Sequence, residues 1–296
     1  MEWTIERTDD IEAFDAAVRD YLMEHEAIHN VALGVLDTLE SGVNPYTGDN
    51  LLAYARSAGE IGGVIMRTPP YPGLLSLVAD EAAAARLVDT LIETYSTLEE
   101  FNVPKDVAAA ALARFEERGY DWEIGMRQRL YRTSTVDAPE DVSGSWRRAE
   151  AADREQLIEW LVRFEMEAND EVEEAARQKT AEQVETFVNE GLVFLWTVDG
   201  EPVSMAGYVG HTPHGVRVGY VYTPPAHREH GYASDVTAVA TRQALEAGYD
   251  YCYLFTDLDN ETTNRIYPAL GYEPVADQHN YELTSPVESE GSESEG

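Results

Sequence analysis

Cysteine and lysine are nearly absent from this sequence. Its 296 residues include one cysteine, Cys252, which excludes an intrachain disulfide and a cysteine-based metal cluster. Only Lys105 and Lys179 are lysines, so arginine supplies almost all of the positive charge. No apolar run is long enough to cross a bilayer, and residues 1–4 lack the basic and then apolar pattern of a secretory signal. We therefore expect a cytoplasmic protein that has no membrane partner.

The acidic excess is the largest compositional bias. There are 56 acidic residues and 21 basic ones, which gives a net charge of −35. Such a charge disfavours binding to nucleic acid or anionic lipid. It fits an acidic partner-binding protein, or a salt-rich cytosol in which counterions screen the repulsion. Because the acidic residues are spread over almost every segment, we predict a halophilic, haloarchaeal protein.

Two polar segments divide the chain. Residues 134–145 are rich in turn-forming residues, including Pro139 and Gly144, and this composition is typical of a linker. Residues 285–296 have no apolar periodicity, which predicts a disordered acidic tail. We therefore expect one domain at residues 1–133 and a second at residues 146–284.

The second half has a pattern of helices and strands with clear start and stop signals. Asp199-Gly200 is a hairpin turn signal, and Gly248 closes a helix. The predicted helices cover residues 152–169, 181–189, 233–247 and 261–270, and the predicted strands cover 193–198, 203–209, 216–223, 251–256 and 280–283.

The first half repeats the same order of elements. Its predicted helices cover residues 11–23, 31–39, 81–95 and 106–117, and its predicted strands cover 51–57, 62–66, 74–79, 101–103 and 124–131. Two copies of one fold are the simplest account. We predict an α/β (α+β) protein whose two domains each have a central mixed β-sheet flanked by helices.

A strand, a tight loop and a helix start are predicted over residues 216–233. In such a loop, successive backbone amides and the positive end of the helix dipole create a site for a diphosphate. Gly231 allows close approach of the backbone, and Ala233 keeps the third position small. An ordinary strand-to-helix connection is the alternative, and a single glycine does not decide between the two.

The pattern Arg228-x-x-Gly231-x-Ala233 resembles the acyl-CoA signature (Gln/Arg-x-x-Gly-x-Gly/Ala) of the GNAT superfamily of N-acetyltransferases. Further along the chain, Asn260 and Asn264-x-x-Tyr267 are similar to the family's asparagine-rich helix start and its tyrosine. Residues 270–272, Leu-Gly-Tyr, are similar to its leucine-glycine-aromatic ending. The resemblance covers residues 146–283, about half of the chain.

This resemblance implies an acetyl-CoA-dependent N-acetyltransferase, in which a primary amine of a small molecule or peptide attacks the thioester directly. It also implies a set of cofactor contacts. They are the backbone of Val221, Tyr222 and Thr223 at the pantetheine arm, with an amide near Val221 for the oxyanion; Arg228, Glu229, His230, Gly231, Tyr232 and Ala233 at the diphosphate; and Asn260 and Asn264 beside the cofactor.

For catalysis, the resemblance assigns Tyr267 as the general acid beside the sulfur; a packed core residue is the alternative. Glu165 and Glu167 are candidates to accept the proton of the amine, and in so acidic a chain solvated surface charge is their alternative. No His, Asp and Glu grouping has metal-ligand spacing, so we expect no metal site.

The first half resembles the degenerate partner domain of tandem GNAT proteins. At the position of the signature it reads Leu-Val-Ala-Asp-Glu-Ala-Ala-Ala over residues 77–84. Asp80 and Glu81 suit the helix end themselves and would repel a diphosphate, so we expect no CoA site there. Two further readings of the chain remain open: a transferase for another acyl-CoA, and a non-catalytic CoA-binding or interaction module.

Overall fold

The computed structural model describes residues 2–42, 46, 48–137, 139, 143–168 and 173–286. The chain forms two compact units. The first runs from Met1 to Arg129 and takes in the chain from Ala276 onward, and the second is Leu130–Val275. The predicted acidic tail lies outside the described residues from position 287.

The elements up to the predicted linker are β1 (Thr4–Arg7), α1 (Ile11–Met23), α2 (Asn30–Glu40), β2 (Leu51–Ser57), β3 (Glu60–Arg67), β4 (Gly73–Leu75), α3 (Glu81–Thr94), β5 (Glu100–Pro104), α4 (Lys105–Glu117) and β6 (Asp121–Thr133). Those that follow are β7 (Ser145–Arg148), α5 (Arg154–Ala168), α6 (Glu173–Asn189), β8 (Val193–Val198), β9 (Glu201–His211), β10 (Gly215–Tyr222), α7 (Tyr232–Glu246), β11 (Tyr251–Asp257), α8 (Thr263–Ala269) and β12 (Glu273–Thr284).

In the first unit the strands lie in the order β1-β2-β3-β4-β5-β12. β4 and β5 are parallel, and the other neighbours are antiparallel. Side chains alternate between the two faces of a strand, so Leu51 and Ala53 pack in the cluster of α3 and α4. Leu52 and Tyr54 pack in the cluster of α1 and α2. The mixed sheet is therefore covered by helices on both faces.

The second unit has the same layering. Its strands lie in the order β11-β10-β9-β8-β7, with β10 and β11 parallel and the others antiparallel. Phe194 and Trp196 of β8 pack in the cluster of α7 and α8, whereas Val193 and Leu195 pack in that of α5 and α6. The prediction of a mixed α/β fold with helix-flanked sheets is confirmed.

Several elements differ from those predicted. The four-residue strands β1 and β7 were not predicted, because such short segments show little alternation. The strand predicted at residues 74–79 ends at Leu75. After it the chain turns back onto β3, where Ser76 Oγ accepts the Val64 N–H at 2.8 Å and the Ala79 N–H donates to the carbonyl oxygen of Gly62 at 2.8 Å. Finally, α6 begins at Glu173, eight residues before the predicted start.

A buried histidine joins the turn between α1 and α2 to the loop after β4. His29 Nδ1 lies 2.9 Å from the carbonyl oxygen of Leu22, and Nε2 lies 3.1 Å from the backbone nitrogen of Leu77. Because the Leu77 N–H needs an unprotonated acceptor, the ring is neutral, with its proton on Nδ1. Burial lowers the pKa of His29 from 6.5 to about 4.

We expect stability to fall in acid in a way that depends on His29. An unfolded chain binds this proton near pH 6.5, whereas the folded protein resists it until about pH 4, so the free energy of unfolding decreases as the pH falls through that window. The full effect is about 3 kcal/mol. His29→Gln should be less stable than wild type at neutral pH, and its urea midpoint should fall less steeply in acid. His25→Gln, at the exposed neighbouring ring, is the control; equal slopes for all three proteins would contradict this account.

Candidate active site

The candidate site lies where β10 separates from β11. The two strands pair in parallel from Gly215 with Tyr251 to Arg217 with Tyr253, and within the described ranges the ladder ends there. The rest of β10 and the residue after it, residues 218–223, lie beyond this ladder. The gap between diverging strands can receive an extended chain that pairs with the strand backbone.

The loop after β10 leads into α7 through two residues with left-handed backbone. Glu229 has φ 66° and Gly231 has φ 84°. Gly231 is the N-cap of α7, and it provides no side-chain cap. The first N–H groups of a helix have no partner within it, so this end of α7 offers them to a ligand. In α3 of the first unit, by contrast, Asp80 caps the helix by accepting the Ala83 N–H at 2.8 Å.

His230 packs against its neighbours within the loop. His230 Nδ1 lies 2.6 Å from the carbonyl oxygen of Arg228, and its ring stacks on Tyr232 with 5.4 Å between centroids. Tyr232 is buried, whereas Ala233 and Val221 are half-buried. The residues predicted to contact the diphosphate thus lie on one loop and in the first turn of α7.

Arg228 connects this loop to the end of α5. Its Nε donates to the carbonyl oxygen of Thr223 at 2.9 Å, and its Nη2 forms an ion pair with Glu167 Oε2 at 2.5 Å. The Tyr222 hydroxyl donates to Glu167 Oε1 at 3.3 Å. The structure thus brings together Arg228 and Glu167, which sequence reasoning assigned to different roles. Glu165, two residues earlier on the same helix, is buried, with 2% of its surface exposed.

Ser204 on β9 was not predicted as part of the site. Its Oγ donates to the carbonyl oxygen of Tyr222 at 3.2 Å and lies 2.8 Å from Thr223 Oγ1. It therefore fixes the last residues of β10 from the neighbouring strand. A lone serine within an apolar strand is the only sequence signal for this role, and it is a weak one.

The two predicted asparagines bind the chain itself. Asn260 Oδ1 accepts the backbone N–H groups of Thr262 and Thr263, both at 3.2 Å. Asn264 Nδ2 donates to the carbonyl oxygens of residues 257–258 at 2.9 and 3.1 Å. Side chains of this type fix turns by bonding to nearby backbone. They fasten the start of α8 to the end of β11.

Tyr267 lies on α8 within the core cluster that contains β11 and α7. Only 6% of its surface is exposed. Its ring meets that of Tyr272 edge to face, with 6.1 Å between centroids. Burial raises the pKa of Tyr267 to about 12, so its hydroxyl keeps its proton at neutral pH.

A buried carboxyl in the first turn of α7 was also missed. Asp235 has 6% of its surface exposed, and among the described residues its Oδ2 has no hydrogen-bond partner. Burial raises the pKa of Asp235 from 3.8 to about 6. One acidic residue among the 56 in the sequence carries no sign of burial, so only the structure identifies it.

Asp235→Asn should stabilise the protein at neutral pH. The folded protein keeps this proton up to about pH 6, while an unfolded chain releases it near pH 3.8. Stability from this group is therefore present in acid and is lost as the pH rises through 6. We expect the variant to gain about 2 kcal/mol at neutral pH, measured as a higher urea midpoint. The gain should shrink towards pH 4; a gain that is constant with pH would show that ionisation is not its cause.

In the part of the chain that the structure describes, no group of three or more His, Cys, Asp or Glu side chains could hold a metal ion. None of the described helices combines the length and apolar character needed to cross a membrane.

A sequence profile of the acetyltransferase (GNAT) family matches residues 154–272, rather less than half of the chain and all within the second unit. No curated protein matches the sequence.

Solved structures match over most of the chain. A GCN5-related N-acetyltransferase from Sphaerobacter thermophilus has TM-score 0.61 and 16% identity, over 95% of this chain and 94% of that one. One from Kribbella flavida has TM-score 0.56 and 18% identity, over 75% and 88%. A tandem GNAT protein from the clavulanic acid biosynthesis pathway, solved without AcCoA, has TM-score 0.55 and 12% identity, over 96% and 98%. The chain therefore has the fold of the GNAT acetyltransferases, and residues 154–272 carry that family's sequence pattern.

Proposed function

We propose that this protein is an acetyl-CoA-dependent N-acetyltransferase whose reaction takes place in the second unit. The observation that carries the proposal is the N-terminus of α7, where Gly231 at φ 84° leaves the helix without a side-chain cap. This helix end follows β10 along the chain, and β10 is the strand that separates from β11. Helix ends of this kind bind phosphate groups, and diverging strands accept an extended ligand.

The backbone would make most of the cofactor contacts. The N–H groups of residues 229–233 would bind the diphosphate, with Arg228 beside them, whose own N–H donates to the carbonyl oxygen of Pro225 at 3.4 Å. Residues 221–223 would pair with the pantetheine arm as with an added strand. The Val221 N–H would donate to the carbonyl oxygen that gains negative charge when the amine adds. Asn260 and Asn264, whose side chains bind the backbone, would act by fixing α8 beside the cofactor.

The reaction needs an acceptor for the amine's proton. Glu167, at the end of α5 and held there by Arg228 and Tyr222, and the buried Glu165 are the proposed carboxylates. One of them would take the proton from the ammonium, directly or through water. The neutral amine nitrogen then forms a bond to the thioester carbon.

Departure of the thiolate needs a proton donor. When the carbon–sulfur bond breaks, the electron pair goes to sulfur, and Tyr267 would supply its hydroxyl proton. The pKa of about 12 that burial gives this group keeps it protonated beforehand. The amide nitrogen then loses its remaining extra proton to the Tyr267 oxygen, directly or through water, so the amide and the free thiol are the products.

The first unit is proposed not to bind CoA. Trp3 Nε1 donates to Asp80 Oδ1 at 2.8 Å, and Asp80 also caps α3. The indole lies so close to Gly62 that a Cβ there would be 2.4 Å from the ring. The helix end that corresponds to the α7 site is thus filled by the chain's own carboxylate, with a tryptophan beside it. This supports a structural or acceptor-side role for the first unit.

The test is acetyl-CoA binding by calorimetry and thiol release with a panel of primary amines. Both are done in molar KCl, because the proposed halophilic, haloarchaeal origin would require screening of the −35 charge. Binding with thiol release supports the proposal. Binding without turnover on any amine would favour the non-catalytic module, and turnover with a longer acyl-CoA alone would identify another donor. No binding by folded protein would refute the CoA site.

A further inference from the structure

The pairing of β10 with β9 is irregular at residues 220–221, in the candidate site. Gly219 pairs with Gly207 of β9, and the next pair is Tyr222 with Met205. Two residues of β10, Tyr220 and Val221, therefore stand opposite the single residue between Gly207 and Met205, which makes a β-bulge. Such bulges redirect a strand, and this one lies just after the end of the pairing with β11.

Tyr220 holds the bulge in a conformation that its side chain disfavours. Its φ is 49°, in the left-handed region that residues other than glycine rarely occupy. Such a conformation persists only where the surroundings enforce it. Contacts with neighbouring side chains must therefore hold Tyr220 in this conformation.

Side chains from α5 and α6 surround the Tyr220 ring. Gln183 Nε2 donates to its hydroxyl at 2.7 Å. Phe164 and Phe187 contact the ring with centroid distances of 5.5 and 5.6 Å. The tyrosine is thereby held at its ring and at its hydroxyl.

We propose that Gln183 is a positioning residue for the transferase reaction: by holding Tyr220 it maintains the bulge that orients the backbone N–H of Val221. This inference rests on the proposed function, in which that N–H stabilises the oxyanion. The Val221 N–H belongs to the peptide group between Tyr220 and Val221, so a change in the backbone dihedral angles of Tyr220 turns that N–H. A loosened bulge would leave the cofactor loop at residues 228–233 intact while misdirecting the donor.

The test compares Gln183→Leu, Tyr220→Phe and the double variant. Each single change removes the same hydrogen bond and keeps the ring contacts, so each should lower kcat about tenfold, less than the loss of an oxyanion donor outright. The double variant should be no slower than the singles, because both act on one interaction. The Kd for acetyl-CoA should change much less than kcat, because the cofactor loop at residues 228–233 is unaffected.

Tyr208→Phe is the matched control. The Tyr208 hydroxyl donates to the carbonyl oxygen of Ala240 at 2.7 Å, so the change removes a similar bond from the same unit. It should lower stability and leave kcat unchanged. Equal losses of kcat in Tyr208→Phe and Tyr220→Phe, or no loss in Tyr220→Phe, would overturn the positioning role.

A second readout needs no turnover. The amide resonance of Val221 in the ligand-free protein should shift in Gln183→Leu and stay in place in Tyr208→Phe. If wild type neither binds acetyl-CoA nor turns over, the proposed function fails. If wild type is active and Val221 does not respond to loss of Gln183, the inference alone fails.

Discussion

Gly231→Glu is expected to abolish acetyl-CoA binding. The position has φ 84°, where a residue with a Cβ is strained by about 1–2 kcal/mol. A glutamate there would also place negative charge where the diphosphate is proposed to sit, and like charges brought together at a binding site cost a few kcal/mol. Together these effects predict a loss of affinity of about a hundredfold or more, measured by calorimetry in molar KCl.

Gly200→Glu is the control for a general loss of stability caused by adding charge and backbone strain. Gly200 has φ 86° in the β8–β9 hairpin turn, and a Cβ there would meet no atom within 4 Å. The substitution adds the same charge and the same backbone strain away from the loop. It should bind acetyl-CoA as wild type does. If both variants lose binding to the same degree, the assignment of the cofactor to this loop is wrong.

Tyr267→Phe should have the second largest effect. Loss of a general acid lowers turnover by about 10²–10⁴; thiolate leaves more readily than most groups, so we expect a fall in kcat of about a hundredfold. Because the Tyr267 ring packs in the core and phenylalanine keeps it, the Kd for acetyl-CoA should not change. The measurement is steady-state kinetics with binding on the same preparation.

Tyr272→Phe serves as its control. The Tyr272 hydroxyl lies 2.7 Å from Thr241 Oγ1 in the same core, so the change removes a buried hydroxyl without touching the proposed acid. It should cost about 1 kcal/mol of stability and keep the turnover. If Tyr267→Phe had wild-type activity, Tyr267 would be a core-packing residue and not the general acid.

Local signals in the sequence were enough for most of the architecture. Short apolar runs at β2 and β8 predicted strands, and both strands have the predicted bounds. The turn at Asp199-Gly200 has positive φ at both residues, as a two-residue hairpin requires. These features depend on neighbours a few positions apart, so the order of residues determines them.

Local signals could not predict which unit the last strand, β12, joins. Residues 276–284 are the end of the chain's second half, yet they belong to the first unit. There β12 pairs with β5, Tyr281 lying opposite Phe101. Which strand an edge accepts depends on packing between segments nearly two hundred residues apart, and a periodic pattern carries no information about that choice.

The candidate site likewise has features that the local sequence determines and features that depend on tertiary structure. The sequence by itself determined the loop, because Gly231 and the helix that follows are a local pattern. It could not show that Arg228 is bound by Glu167, that Asn264 binds nearby backbone, or that Tyr220 has positive φ and accepts a hydrogen bond from Gln183. Those arrangements depend on which distant side chains share a small space, and only tertiary packing, by bringing α5, α6 and β10 together, decides that.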